Sequence, residues 1–162
     1  MTTLPKRRSV DSQVTMTEIV LPSHTNALGT IFGGQLMAWI DVAAAIAAIR
    51  HARTVCVTAS IDALHFIAPV KLGQHVCIFA NVNFTHKTSM EIGVRLEAED
   101  PRTGVRRRVA KAYLTFVALD NDGKPTTVPE IVPESADEKR RFKEAKIRRE
   151  ARLKLKEDLM KS

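Results

Sequence analysis

The sequence predicts a single α+β domain, an antiparallel β-sheet wrapped around one long helix with a charged helix behind it. Three observations carry this: a nearly unbroken run of helix formers from Gln35 to Arg50, later segments that alternate apolar and polar residues, and turn-forming residues that join them. A chain of 162 residues has room for one core. The boundaries read as a flexible N-terminal arm over 1–14, the main domain over 15–132, and a charged helix over 133–162.

A first strand is expected from Met16 to Leu21, ended by Pro22, which lacks a backbone donor. The loop from Ser23 to Gly34, SHTNALGTIFGG, then opens into the helix. Within LMAWIDVAAAIAAI, Asp41 is the only polar side chain. A helix apolar on every face is either buried or membrane-spanning. This one is shorter than the ~20 residues needed to span and carries a charge, so burial is predicted. Strands follow over Thr54–Ala63 and Gln74–Thr85, the latter placing Val76, Ile78, Ala80, Val82 and Phe84 on one side. Next, Ile92, Val94, Leu96 and Ala98 alternate with Glu91, Arg95, Glu97 and Glu99, which predicts one wet face. Arg107 to Leu119 continues the pattern after a turn at Pro101–Gly104. The loop from Asp120 to Pro125 ends the sheet.

The net charge of +7 leans towards an acidic partner. From Ser135 onward there are 11 Lys and Arg against 6 Asp and Glu, so +5 of that +7 lies in the tail. Ser135 and Glu138 form a capping box that starts its helix. Cys56 and Cys77 have no pairing or metal-ligand spacing and are expected as buried reduced thiols. No metal site is expected. The basic N-terminus has no apolar run behind it, so a cytoplasmic protein is the simplest expectation.

A lone carboxylate in an apolar helix needs compensation. Asp41 either hydrogen-bonds a neighbouring loop or serves as a general base or nucleophile. It lies eight residues beyond Gly33, about 12 Å along the helix. It therefore cannot easily serve its own glycine loop, but could meet that of an antiparallel second copy. At the helix entrance, Gly33 and Gly34 allow close approach, and unpaired N–H groups there can polarise a carbonyl; Asn26 adds an amide.

The stretches HTNALGTIFGGQLMAWIDVAAAIAAIRHA, FIAPVKLGQHV and HKTSMEIGVRLEAED, with the strand from Tyr113 to Asp120, resemble the acyl-CoA thioesterases of the hotdog superfamily, in the branch of the cytosolic acyl-CoA hydrolases. The resemblance spans roughly Met16 to Val132. It implies the hotdog fold, a double-hotdog homodimer with composite sites, and commonly a trimer of dimers. It implies hydrolysis of acyl-CoA to a carboxylic acid and coenzyme A, with no cofactor beyond the coenzyme A of the substrate. By the same resemblance, Asp41 activates water or attacks the thioester, Asn26 of the opposite subunit orients water or carbonyl, and Gly34 supplies an oxyanion N–H. Lys87, Thr88 and Ser89 match a segment that lies near coenzyme A, and Arg106 opens a basic run with Arg107 and Arg108 suited to nucleotide phosphates. Met37, Trp39 and Ile61 are expected to line the acyl pocket. His24 is set aside, since the matching position is not catalytic.

Two rival readings stand beside this. A hotdog dehydratase or hydratase needs a histidine paired with an acid, and the NPxH pattern of hydratases is absent. A nucleic-acid-binding tail has little for bases to stack on, Phe142 being its one aromatic. Ile147, Ala151, Leu155 and Leu159 recur at i+4 spacing, which predicts that the tail helix lies on a neighbouring subunit rather than on nucleic acid. No membrane partner is expected.

Overall fold

Small residues on one face of a helix permit close packing, and that requirement organises the domain. The computed structural model describes residues 4–161. Strand β1 (Lys6–Arg8) and a 3-10 turn (Ser9–Ser12) precede β2 (Val14–Ile19) and helix α1 (Gly33–Ala52). Then come β3 (Val55–Phe66), β4 (His75–His86), β5 (Ser89–Glu99), β6 (Arg106–Leu119), β7 (Glu130–Val132) and helix α2 (Ala136–Met160). Five strands form one antiparallel sheet in the order β2-β4-β5-β6-β3.

Helix α1 presents Ala43, Ala44, Ala47 and Ala48 to the sheet, all with no exposed surface. They share one core with Ile78, Val82, Ile92, Leu96, Leu114 and Phe116. Register slips in β3, β4–β5 and β5–β6 insert extra residues that bend the strands, so the sheet curls around the helix. The β5–β6 turn forms where the sequence places it: Asp100 accepts the N–H groups of Arg102 and Thr103, and Gly104 takes the left-handed φ of 71°. Both cysteines are buried and free, and burial pushes the Cys56 thiol up to about 11.

Several expectations are corrected. The stretch over 1–14 is not a flexible arm from residue 6 on. β1 pairs in parallel with β7, and buried Ser9 donates to the Val82 carbonyl at 2.9 Å; residues 1–3 lie outside the described residues. The bulge at Asn83 breaks the alternation of β4, so Phe84 sits opposite Glu91 on the outer face, not with Val82 inside. There its ring meets Phe142 of α2 edge-on at 5.2 Å.

The outer face of β5 is likewise not wet at Glu91, whose side chain is 6% exposed. Helix α2 starts at the expected Ser135–Glu138 capping box and lies on its own chain's sheet, where a neighbouring subunit's was expected. Arg148 grips both Glu91 oxygens, at 3.0 and 2.8 Å, and stacks 3.6 Å over Tyr113. One turn on, Arg152 donates to Asp62 at 2.6 Å and to Thr115 at 2.9 Å. The docking face is thus arginine-rich, and the aliphatic residues Ile147 and Leu155 point outward.

Two outcomes follow. Arg148→Ala leaves Glu91 buried without its cation and should lower stability by roughly 2–4 kcal/mol in urea unfolding, since breaking a buried pair costs more than the pair contributes. His51 is buried, with one ring nitrogen 2.8 Å from the Pro129 carbonyl; burial pushes its pKa down, partly offset by that carbonyl. The unfolded chain therefore binds the proton more readily. The stability His51 contributes is present above pH ~6.5 and is lost as pH falls from there through the lowered folded value. A Tm series from pH 7.5 to 5 should slope downward, and His51→Gln should flatten it.

Candidate active site

Helix α1 begins at Gly33 with no side-chain cap from Phe32, so its first N–H groups keep no intrahelical partner. A Cβ at Gly34 would strike the exposed Phe32 ring, which would have to swing aside. An apolar trench of about 290 Å³ lies at this entrance, lined by Thr30, Gly33, Leu36, Phe66 and Val70 among others.

Two turns further along, Asp41 is partly exposed rather than engulfed. Its Oδ1 accepts the Thr58 hydroxyl of β3 at 2.7 Å. The helix has an apolar strip turned away from its own core, with Met37 39% and Val42 47% exposed, and Ile61 of β3 beside it at 42%. Asp41 sits in that strip. β3 is an edge strand of twelve residues with no neighbour on its far side among the described residues.

Asn26 is fixed by its loop. Its side-chain oxygen accepts the Leu28 N–H at 2.9 Å, the Thr30 N–H at 3.3 Å and the Thr30 hydroxyl at 3.2 Å. Two backbone donors set the amide's orientation, so the Nδ2 donor faces away from them. Among the described residues no hydrogen bond joins Asn26 to Asp41 within the chain.

The other expected residues separate. Lys87, Thr88 and Ser89 cluster at the tip of the β4–β5 hairpin, where Lys87 adopts φ 45°. Arg106 is paired with Glu99 at the opposite end of β5, ten residues or about 33 Å away. Its Nε donates to Glu99 at 2.6 Å, and this guanidinium holds the Glu99 carboxyl below the usual carboxylate range. Arg106 is therefore not part of the Lys87 cluster. Trp39 is buried against His24, rings edge-on at 5.2 Å, apart from exposed Met37 and Ile61, so the three do not line one pocket within the chain. His24 accepts the Leu21 N–H through Nδ1, a local structural role.

Thr58 was missed by sequence reasoning. In VCVTAS a threonine is an ordinary strand residue, and only the approach of β3 to α1 reveals its partner.

A sheet curled around one helix, a helix entrance of bare N–H groups and a carboxylate on that helix define a hotdog-fold thioester enzyme. Residues 28–105 match the family model of the thioesterase superfamily. The uncharacterised acyl-CoA thioester hydrolase YkhA of Bacillus subtilis is 43% identical over 138 residues, covering 85% of this chain and 80% of that protein. Human cytosolic acyl coenzyme A thioester hydrolase is 40% identical over 140 residues, and the chain spans 37% of its length. Among solved structures, the acyl-CoA hydrolase of Staphylococcus aureus in complex with butyryl coenzyme A, coenzyme A and coenzyme A disulfide superposes with a TM-score of 0.91 at 38% identity, covering 97% of this chain and 96% of that one. A hexameric acyl-CoA thioesterase in its apo form gives 0.91 at 40% identity, covering 93% and 97%. The chain belongs to the thioesterase superfamily, among its acyl-CoA thioester hydrolases.

Thr58→Val removes one partly exposed hydrogen bond and should cost ~1 kcal/mol or less in stability. It should lower thioester hydrolysis roughly tenfold or more, because the Asp41 carboxylate loses its fixed orientation. Melting and thiol release measured on one preparation separate the two effects.

Proposed function

We propose that the chain hydrolyses acyl-CoA to a carboxylic acid and coenzyme A at a site shared by two copies. The observation that carries this is the Asp41–Thr58 pair, set in an exposed apolar strip next to the unpaired edge of β3. The Thr58 hydroxyl occupies Oδ1, leaving Oδ2 either to take a proton from a water that attacks the thioester carbon, or to attack that carbon itself and form a mixed anhydride that water then hydrolyses to the acid, restoring Asp41. The N–H of Gly34 and the Asn26 amide of the opposite copy hold the carbonyl oxygen as it gains charge. The C–S bond then breaks, and the sulfur leaves as thiolate and is protonated to the thiol.

Pairing of β3 with a second copy supplies the missing strand neighbour, covers Val55 and Val57, and brings one copy's loop at Asn26 towards the other's Asp41. Staphylococcus aureus acyl-CoA hydrolase has been studied with an asparagine, an aspartate and a threonine each replaced by alanine, and these occur in the same order and at the same mutual spacing as Asn26, Asp41 and Thr58. The hexamers among the solved relatives support a trimer of such dimers. Lys87, Thr88 and Ser89, at a solvent-facing tip, are assigned to coenzyme A. The cytosolic mammalian relatives support a cytoplasmic site of action, and no helix described is long and apolar enough to cross a membrane.

Steady-state thiol release across acyl-CoA chain lengths tests the activity. Asp41→Asn should cut turnover by about 10³-fold or more with the fold retained, and Asn26→Ala by about 10²-fold. Mixing the two variants under conditions of subunit exchange should restore part of the activity; a mixture that exchanges yet stays inactive defeats the shared site.

A further inference from the structure

Strand β3 does not run evenly. Its pairing with β6 slips twice, so that Ala59 and Asp62 are extra residues without an opposite number, while Thr58 faces Phe116, Ser60 faces Thr115 and Ile61 faces Leu114. In an unbroken strand, residues two apart point to the same side of the sheet. Thr58 and Ser60 do not. Thr58, opposite the core residue Phe116, reaches inward to Asp41 of α1, whereas Ser60, opposite Thr115, lies on the outer face beneath α2. The bulge at Ala59 makes this possible, because it absorbs one residue and reverses the facing across it. Were the same residues paired without it, Thr58 would turn away from Asp41 whenever Ser60 kept its place outside.

Bulges interrupt the ladder, and β3 lies at the sheet's edge, so backbone pairing holds this stretch weakly. The side chain of Asp62, the second extra residue, supplies the missing restraint. Its Oδ1 accepts the Ser60 hydroxyl of its own strand at 2.6 Å. Its Oδ2 accepts the Thr115 hydroxyl of β6 at 2.7 Å and Nη1 of Arg152 from α2 at 2.6 Å. The same Arg152 nitrogen donates to the Thr115 oxygen at 2.9 Å, which closes a triangle across three elements. The Asp62 side chain is 9% exposed, so these donors rather than water stabilise its charge, and the carboxylate holds them firmly in turn. Among the described residues, none of the four groups hydrogen-bonds to Asp41.

We infer that Asp62, clamped by Arg152, is a positioning residue for thioester hydrolysis, fixing the double bulge that turns the Thr58 hydroxyl onto Asp41. This rests on the reading of Asp41 and Thr58 as the pair at the reacting centre. Asp62 acts through Thr58, so its loss lowers turnover by no more than loss of that hydroxyl does. Helix α2 lies on the far face of the sheet and contributes to catalysis through one arginine.

Thiol release from acyl-CoA, with kcat and KM separated, is compared for the intact chain and Asp62→Asn, each with Thr58 and with Thr58→Val. Asp62→Asn keeps the shape of the side chain but exchanges an acceptor for a donor. With Thr58 present, kcat should fall about fivefold while KM changes by about twofold or less. In the Thr58→Val background the same substitution should lower kcat by less than about twofold, because the group it acts through is gone. A residue that only stabilises the fold would cut both backgrounds alike. Arg152→Gln, which leaves β3 unaltered, should repeat the pattern in milder form, and it decides the matter if circular dichroism shows Asp62→Asn to be unfolded. Full activity of the folded variants, or equal losses in the two backgrounds, overturns the inference and leaves the Asp41–Thr58 site standing. Turnover that survives Asp41→Asn undiminished, or an unaltered chain that releases no thiol, removes that site and the inference with it.

Discussion

Everything in this domain follows from how closely α1 can approach the sheet. Four fully buried alanines, Ala43, Ala44, Ala47 and Ala48, leave no side-chain bulk between helix and strands, so the larger residues of β4, β5 and β6 close around them. That close approach brings β3 near enough for Thr58 to reach Asp41 across the gap. A bulkier face on the helix would lift it from the sheet and separate the hydroxyl from the carboxylate. Packing and chemistry thus share one cause.

The two faces of the sheet are held by different forces. Inside, the contacts are aliphatic and depend on apolar area removed from water. Outside, α2 is anchored by arginines that find Glu91 and Asp62, with Tyr113 as the platform under Arg148 and Phe84 meeting Phe142 edge-on. Such pairs are directional and fix the helix in register. The same arginine-rich surface leaves a cationic hollow where the helix begins, with Asp137 as its one lining carboxylate. A helix that looks in composition like a solvated, charged tail is in fact bound along one face.

Much of the architecture was legible in the residues. The alternation in β5 and β6 and the alanine-rich run identified the strands and the helix, and the Asn26, Gly34 and Asp41 pattern pointed to the site proposed above. What escaped had identifiable physical reasons. The bulge at Asn83 turns Phe84 to the other face, and an inserted residue leaves no mark in a pattern of apolar residues. β1 and β7 are three residues each, too short for any periodicity. Glu91 looked solvent-facing because its partner, Arg148, lies 57 residues away. Helix α1 is apolar all round, yet only one side meets its own sheet; a sequence shows how much apolar surface exists, not which molecule covers it.

The parallel pairing of β1 with β7 joins Lys6 to Glu130 across the whole intervening sheet. A contact of such long range closes a very large loop, and its neighbour in the sheet is β4. During synthesis β1 therefore cannot take this partner until residues 130–132 have emerged from the ribosome. Among the elements described, this short parallel pair waits longest for its second strand.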